Sequence, residues 1–180
     1  MCSSDLQFRH ETDPRASPVT GPTTLLPVSR TDTSSWPCTI ARSADLLGDG
    51  WNLLIIRQAC LGARRFDEFR SALGIGRSIL TAHLNRLVEA GVLERVPYQE
   101  RPPRHEYRLT DKGRDVFPIL AAMAAWGDKW LTGPEGTPLV LHHTDCGHDM
   151  QARVVCDHCG GPVDVRRTTG RRGPGHPSSS

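Results

Sequence analysis

The chain of 180 residues contains no apolar run approaching the roughly 18 residues of a membrane span, and its N-terminus lacks the basic and then apolar order of a secretory signal. The expectation is a soluble cytoplasmic protein without a membrane partner. Hydrophobic residues make up 37% of the sequence, which is low for this length and leaves part of the chain outside any packed core. No catalytic triad, phosphate-binding loop or paired acid/base site is apparent, so nothing points to an enzyme. The net charge of +2 is too small to single out a nucleic-acid partner by itself. Six cysteines are present but unevenly spread, and in a reducing compartment that pattern favours metal binding or thiol chemistry over structural disulfides.

The charge is nonetheless concentrated. Arg64 to Arg114 holds 11 Lys/Arg against 7 Asp/Glu, while the first 37 residues come to −1 and the last 49 to zero. The same stretch carries the clearest periodicity. Leu80, Leu84, Leu87 and Val88 recur at the spacing of one helical stripe and face a core. Ser78, Ala82, Asn85 and Glu89 fall on the opposite side, flanked by Thr81 and Arg86, which gives a short, polar outward face. Upstream, Phe66, Phe69, Arg70 and Leu73 form a shorter helix, and Gly74 and Gly76 supply the turn between the two. After Gly91 the period becomes alternating: Val92, Glu94, Val96 and Tyr98 in one run, His105, Tyr107 and Leu109 in another. Pro102 and Pro103 interrupt the two runs at a stiff basic tip. Helix, turn, helix and two-stranded wing make a winged helix-turn-helix, a device for reading double-stranded DNA.

On either side of this unit the pattern changes. Residues 1–37 are rich in Ser, Thr and Pro and are read as a disordered leader. Ile40, Ala44 and Leu47 make a short helix ending at Gly48, and Asp49 caps a second that carries Trp51, Leu53, Leu54, Ile55 and Ile56, expected to be buried nearly all round. Cys60 is a small core hydrophobe. Cys38 lies at the N-terminus of the first helix, where the helix dipole favours thiolate over thiol. Thr110 is the N-cap of a long helix running to Leu131 and bent by Pro118, whose two tryptophans and apolar face ask for a partner subunit as cover.

Taken together, Cys38-Thr39-Ile40-Ala41-Arg42, the run Gly50 to Arg57, Arg65-Phe66-Asp67-Glu68-Phe69, Leu80-Thr81 with Leu84, Tyr98 with Pro102-Pro103, Tyr107-Arg108-Leu109-Thr110 and Trp126-Gly127 resemble the HxlR-type winged-helix transcriptional regulators of bacteria. The resemblance covers Cys38 to Leu131. It implies a homodimer held by its terminal helices on a two-fold operator near a promoter, and it matches Cys38 with the cysteine that senses oxidants or electrophiles in some members. His83 departs from the pattern, standing where a basic residue, usually Arg, is expected. In this frame Ser78, Thr81, Asn85 and Arg86 are placed for base edges in the major groove, and Arg64, Arg65, Arg101 and Arg104 for phosphates.

Beyond the linker Thr132 to Gly136, Cys146-Gly147-His148 and Cys156-Asp157-His158-Cys159-Gly160-Gly161 bring soft and borderline ligands together. Cys146, Cys156, Cys159 and either His148 or His158 would complete four ligands for zinc in a ribbon-like unit, with strands near Leu139 to Leu141 and Arg153 to Val155. The expected organisation is therefore a mainly α winged helix with a small β-hairpin wing, residues 38–131, serving DNA binding and dimerisation. A short Cys/His-rich C-terminal unit, 132–166, and a disordered tail, 167–180, follow. Alternatives are a thiol oxidoreductase on Cys156 and Cys159, for which the flanking sequence offers no βαβ context, and a zinc-dependent protein-interaction module with the winged helix as scaffold.

Overall fold

The computed structural model describes Thr33 and residues 36–176. The expected disordered leader lies outside these residues except for Thr33, Trp36 and Pro37, as do the last four residues of the expected tail. Helices α1 (Thr39–Leu47) and α2 (Gly50–Cys60) open the described chain. Asp49 starts α2 as its position predicts, its carboxylate accepting from the backbone N–H of Trp51 at 2.9 Å. Helices α3 (Phe66–Leu73) and α4 (Arg77–Glu89) form the helix-turn-helix. Between them Gly74 takes φ 62°, a left-handed C-cap that a side chain would resist.

Strands β1 (Leu93–Gln99) and β2 (Arg104–Leu109) pair antiparallel from Leu93↔Leu109 to Gln99↔Arg104, with an irregularity between Pro97 and Gln99. The wing is also tied at its far edge: the N–H of Tyr107 donates to the carbonyl of Arg64 at 2.7 Å, and Arg65 bridges to Glu106. The segment that leads into α3 thus becomes a minimal third strand, which fixes the wing against the helices.

The core forms where the periodicity placed it. Leu80, Leu84 and Leu87 of α4 are fully buried against Ile55 and Ile56 of α2, Phe69 of α3, and Val92 and Leu93 at the start of the wing. Tyr107 meets Phe69 edge-to-face, with ring centroids 6.4 Å apart at 84°. At other points the structure departs from expectation. Helix α2 is not apolar on every side, for Leu54 is 40% exposed whereas Asn52 is fully buried. The stretch Thr110 to Leu131 is two helices, α5 (Asp111–Arg114) and α6 (Phe117–Trp130). Pro118 lies in the first turn of α6, where a missing N–H breaks no helical bond, so it starts a helix instead of bending one. In the C-terminal unit, β3 (Leu141–His143) and β4 (His148–Met150) form a hairpin, while Val155 makes only an isolated bridge with Pro162. Among the described residues no helix is long and apolar enough to cross a membrane.

Candidate nucleic-acid interface

On α4, Ser78, Thr81, Ala82 and Glu89 are exposed and Asn85 is half-buried, leaving a face of small polar groups. The Thr81 hydroxyl donates to the carbonyl of Arg77 at 2.8 Å, which leaves its oxygen as an acceptor on the outer surface. Asn85 is positioned by the wing: its carboxamide oxygen accepts from the Arg95 guanidinium at 2.6 Å, and Arg95 itself lies 5.5 Å above the ring of Tyr107. The amide nitrogen of Asn85 stays available as a donor. Arg95 was not in the predicted set, because its role depends on the approach of β1 to α4 and not on any local pattern.

Arg77 was also missed. It is the first residue of α4, its guanidinium 5.6 Å above Phe66 and 3.7 Å from Asp67, with a side chain 69% exposed. The legible signal was its place in the first turn of a reading helix, where backbone N–H groups and positive charge meet phosphate.

Arg86 differs from its expected role as a base reader. Its guanidinium donates to the backbone carbonyl of Asp45 at 2.8 Å and to the Asp45 carboxylate at 3.2 Å, so the side chain ties α4 to α1. Arg86→Ala is accordingly expected to lower stability by about 1 kcal/mol, the scale of a half-exposed charged hydrogen bond. It should weaken all DNA sequences alike; a titration in which only base preference relaxes would return Arg86 to the groove.

His83 also turns away from the outer surface. Its Nδ1 lies 2.8 Å from the Asn52 carboxamide oxygen and 3.8 Å from the Asp49 carboxylate, and the Asn52 amide donates to the Leu46 carbonyl at 2.7 Å. The departure at this position thus joins α1, α2 and α4 through one buried asparagine, satisfying the polar atoms that burial would otherwise penalise.

The arginines assigned to phosphates fall into two groups. Arg65 lies 4.7 Å above the ring of Tyr98 and 3.7 Å from Glu106, which Arg108 also reaches at 3.0 Å, so Arg65 is engaged with the base of the wing. Arg64 is exposed, and its backbone N–H, with that of Arg65, donates to Glu68 at 2.7 and 3.0 Å. Those two bonds hold the Glu68 carboxyl below its ordinary pKa. Arg101 and Arg104 are exposed at the wing tip with no acidic partner among the described residues.

Cys38 is exposed at the N-cap of α1, and Cys60 is half-buried, its thiol pushed up by burial. In the C-terminal unit no three metal-competent side chains gather among the described residues, so Cys146, His148, Cys156 and Cys159 do not form one cluster. The Nδ1 of His148 is 2.6 Å from the Cys146 carbonyl, and the turn itself is closed by the N–H of Gly147 donating to the carbonyl of His143 at 2.9 Å. The Cys156 thiol is held below its ordinary pKa by the backbone N–H of Cys159, then by that of His158 and by the Cys159 side chain.

A family model described as HxlR-like helix-turn-helix matches residues 46–135. An uncharacterized HTH-type transcriptional regulator of Mycobacterium tuberculosis is 45% identical over 136 residues, covering 76% of this chain and 86% of that protein. The chain belongs to the HxlR-like helix-turn-helix family. Among solved structures, PA1607, a proposed transcription factor, matches with a TM-score of 0.71 at 39% identity, covering 79% of this chain and 100% of the other. A proposed transcription factor of Pseudomonas aeruginosa matches with a TM-score of 0.55 at 40% identity, over 76% and 93% of the two chains. Both likenesses extend beyond the half of the chain that the family model takes. These relatives are named as transcriptional regulators and not as enzymes, which sets aside the oxidoreductase alternative, and the HxlR-like chain is a DNA-binding transcriptional regulator.

Proposed function

We propose that the chain acts as a homodimer on a two-fold operator, with α4 of each protomer in the major groove and the wing against the adjacent backbone. The carrying observation is the outward face of α4, with Ser78 and Thr81 exposed and Asn85 held by Arg95, beside a wing whose Arg101 and Arg104 have no acidic partner among the described residues. Ser78, Thr81 and Asn85 meet base edges, while Arg64, Arg65, Arg101 and Arg104 meet phosphates. Dimerisation is supported by α6, which leaves Ile119, Met123, Trp126 and Trp130 exposed. Two α4 helices related by a two-fold axis read half-sites about one helical turn apart, roughly 34–36 Å.

The dimer is also switched by a thiol reaction at Cys38. Its exposure at the start of α1 makes the sulfur reachable, and the Asp45–Arg86 pair links the same helix to α4. Oxidation by a peroxide or alkylation by an electrophile displaces α1 and, through that pair, α4.

The test is a fluorescence-anisotropy titration against the DNA upstream of the protein's own and neighbouring genes, with and without oxidant. Competitor-resistant binding that oxidant abolishes in the wild type and spares in Cys38→Ser is the expected result. An identical oxidant response in the variant would remove the switch, and failure to prefer any fragment over competitor would remove the operator reading. In the same assay, replacing Arg101 and Arg104 together by Ala should reduce the slope of log affinity against log salt by about 3.6, the release of about four phosphate counterions, two from each protomer of the dimer. A slope unchanged within error would take the wing tip off the backbone.

A further inference from the structure

The C-terminal unit contains the same backbone device twice. His143-Thr144-Asp145-Cys146-Gly147 and Cys156-Asp157-His158-Cys159-Gly160 each place a metal-competent residue, two spacers, a cysteine and a glycine in order, the second thirteen residues after the first. The turns share their geometry. The N–H of Gly147 donates to the carbonyl of His143 at 2.9 Å with Gly147 at φ 68°, and the N–H of Gly160 donates to the carbonyl of Cys156 at 2.8 Å with Gly160 at φ 67°. Such a turn aims its first and fourth side chains at one point. In the first copy, the His143 Nδ1 and the Cys146 sulfur are 3.3 Å apart. Zinc bond lengths of about 2.0 Å to nitrogen and 2.3 Å to sulfur, set at a tetrahedral angle, place two such ligands about 3.5 Å apart. In the second copy, Cys156 and Cys159 take the same first and fourth positions of the turn.

The need for an added ligand is visible in the packing. No residue from 132 to 176 is buried, and Val140, Val154, Val155 and Val163 are each about half exposed. A hairpin and a knuckle without a core fall in the size range where metals or disulfides supply the missing stability.

We infer that a single zinc-class divalent cation is held between the two knuckles by His143, Cys146, Cys156 and Cys159, with His148 outside the ligand set. The site has the three-thiolate, one-imidazole chemistry of structural zinc, closed to solvent ligands and without a catalytic position. His148 follows Gly147 and so lies outside the first and fourth positions that the turn brings together. The pairs stand apart among the described residues, so the shared cation draws one knuckle onto the other. The eight connecting residues give a reach of roughly 25 Å, ample for that closure. Binding releases the thiol protons to solvent as three Zn–S bonds form, with no change of oxidation state. Zinc thereby couples the order of the C-terminal unit to metal supply, independently of DNA recognition.

The test uses the full chain loaded with zinc sulfate, passed through gel filtration and assayed by inductively coupled plasma mass spectrometry. Wild type, His148→Ala and Cys38→Ser should each retain about one zinc per chain, while His143→Ala and Cys156→Ser should lose it, with affinity lowered more than tenfold. Maleimide should modify Cys38 but not Cys146, Cys156 or Cys159 in the zinc-loaded protein. Cobalt(II) titration of the wild type reads the site without a variant: one equivalent should saturate a thiolate-to-cobalt band with tetrahedral visible absorption. Absence of retained zinc, retention in His143→Ala with loss in His148→Ala, or saturation at half or two equivalents would overturn the assignment.

Discussion

Phe69→Ala is expected to cost the winged-helix unit about 3–5 kcal/mol, the range for removing a fully buried aromatic ring. Phe69 is fully buried where α3, the wing and α4 meet, and its ring supports Tyr107 edge-to-face at 6.4 Å. Truncation leaves a cavity bounded by secondary structure on every side, because Leu80, Leu84 and Leu87 present a rigid helical stripe and Tyr107 is held in the wing by its bond to Arg64. Collapse of the surroundings is therefore limited, and the loss should lie well above that of a surface change. Urea denaturation should show a lowered midpoint with an unchanged slope, and the thermal midpoint should fall by more than about 10 °C. A loss below about 1 kcal/mol would mean that the wing and α3 do not share one core.

The core around Phe69 was legible because it rests on repetition. Leu80, Leu84 and Leu87 recur at helical spacing, and the alternation after Gly91 separates Leu109 and Tyr107 from Arg108, so local periods alone indicate two helices and a wing. Helix α2 shows where periodicity runs out. Four successive large apolar residues call for burial on all sides, yet only Ile55 and Ile56 are fully buried, and the polar Asn52 takes an inner position. What admits Asn52 is a pair of partners, His83 and the Leu46 carbonyl, one of them thirty-one residues away. No local pattern encodes that.

The site follows the same division. Ser78, Thr81 and Asn85 lie on the outer side of α4 as the helical repeat requires, but Arg86 is drawn aside by Asp45, forty-one residues earlier. A flanking arginine looks like a base reader until its ion pair is known. In the C-terminal unit the cysteines stand out in the sequence, and the nearest histidines along it are His148 and His158, whereas the approach of His143 to Cys146 at 3.3 Å depends on the turn between them. The left-handed glycine is the better marker: it follows the second residue of each pair and sets the turn that brings the two side chains together.

A second large effect is expected at the other end of the winged helix. Trp126→Glu combined with Trp130→Glu should convert the proposed dimer to monomer, weakening self-association by about 10²–10³-fold if each ring acts as an aromatic anchor. Trp126 and Trp130 are 59% and 63% exposed in the single chain, so their replacement removes little from the intramolecular core and should move stability by no more than about 0.5 kcal/mol at concentrations where the wild type is also monomeric. Sedimentation velocity reads the first effect and urea denaturation the second. For DNA the consequence is specific to the two-fold operator: a monomer loses the advantage of two linked half-sites, about 10²–10⁴-fold, while α4 and the wing remain intact. The double variant should therefore bind an isolated half-site as the wild-type protomer does and lose only the full operator. A variant that stays dimeric removes α6 as the interface. One that is monomeric but binds the full operator at wild-type affinity removes the requirement for a dimer, and it leaves each winged helix as a complete reader by itself.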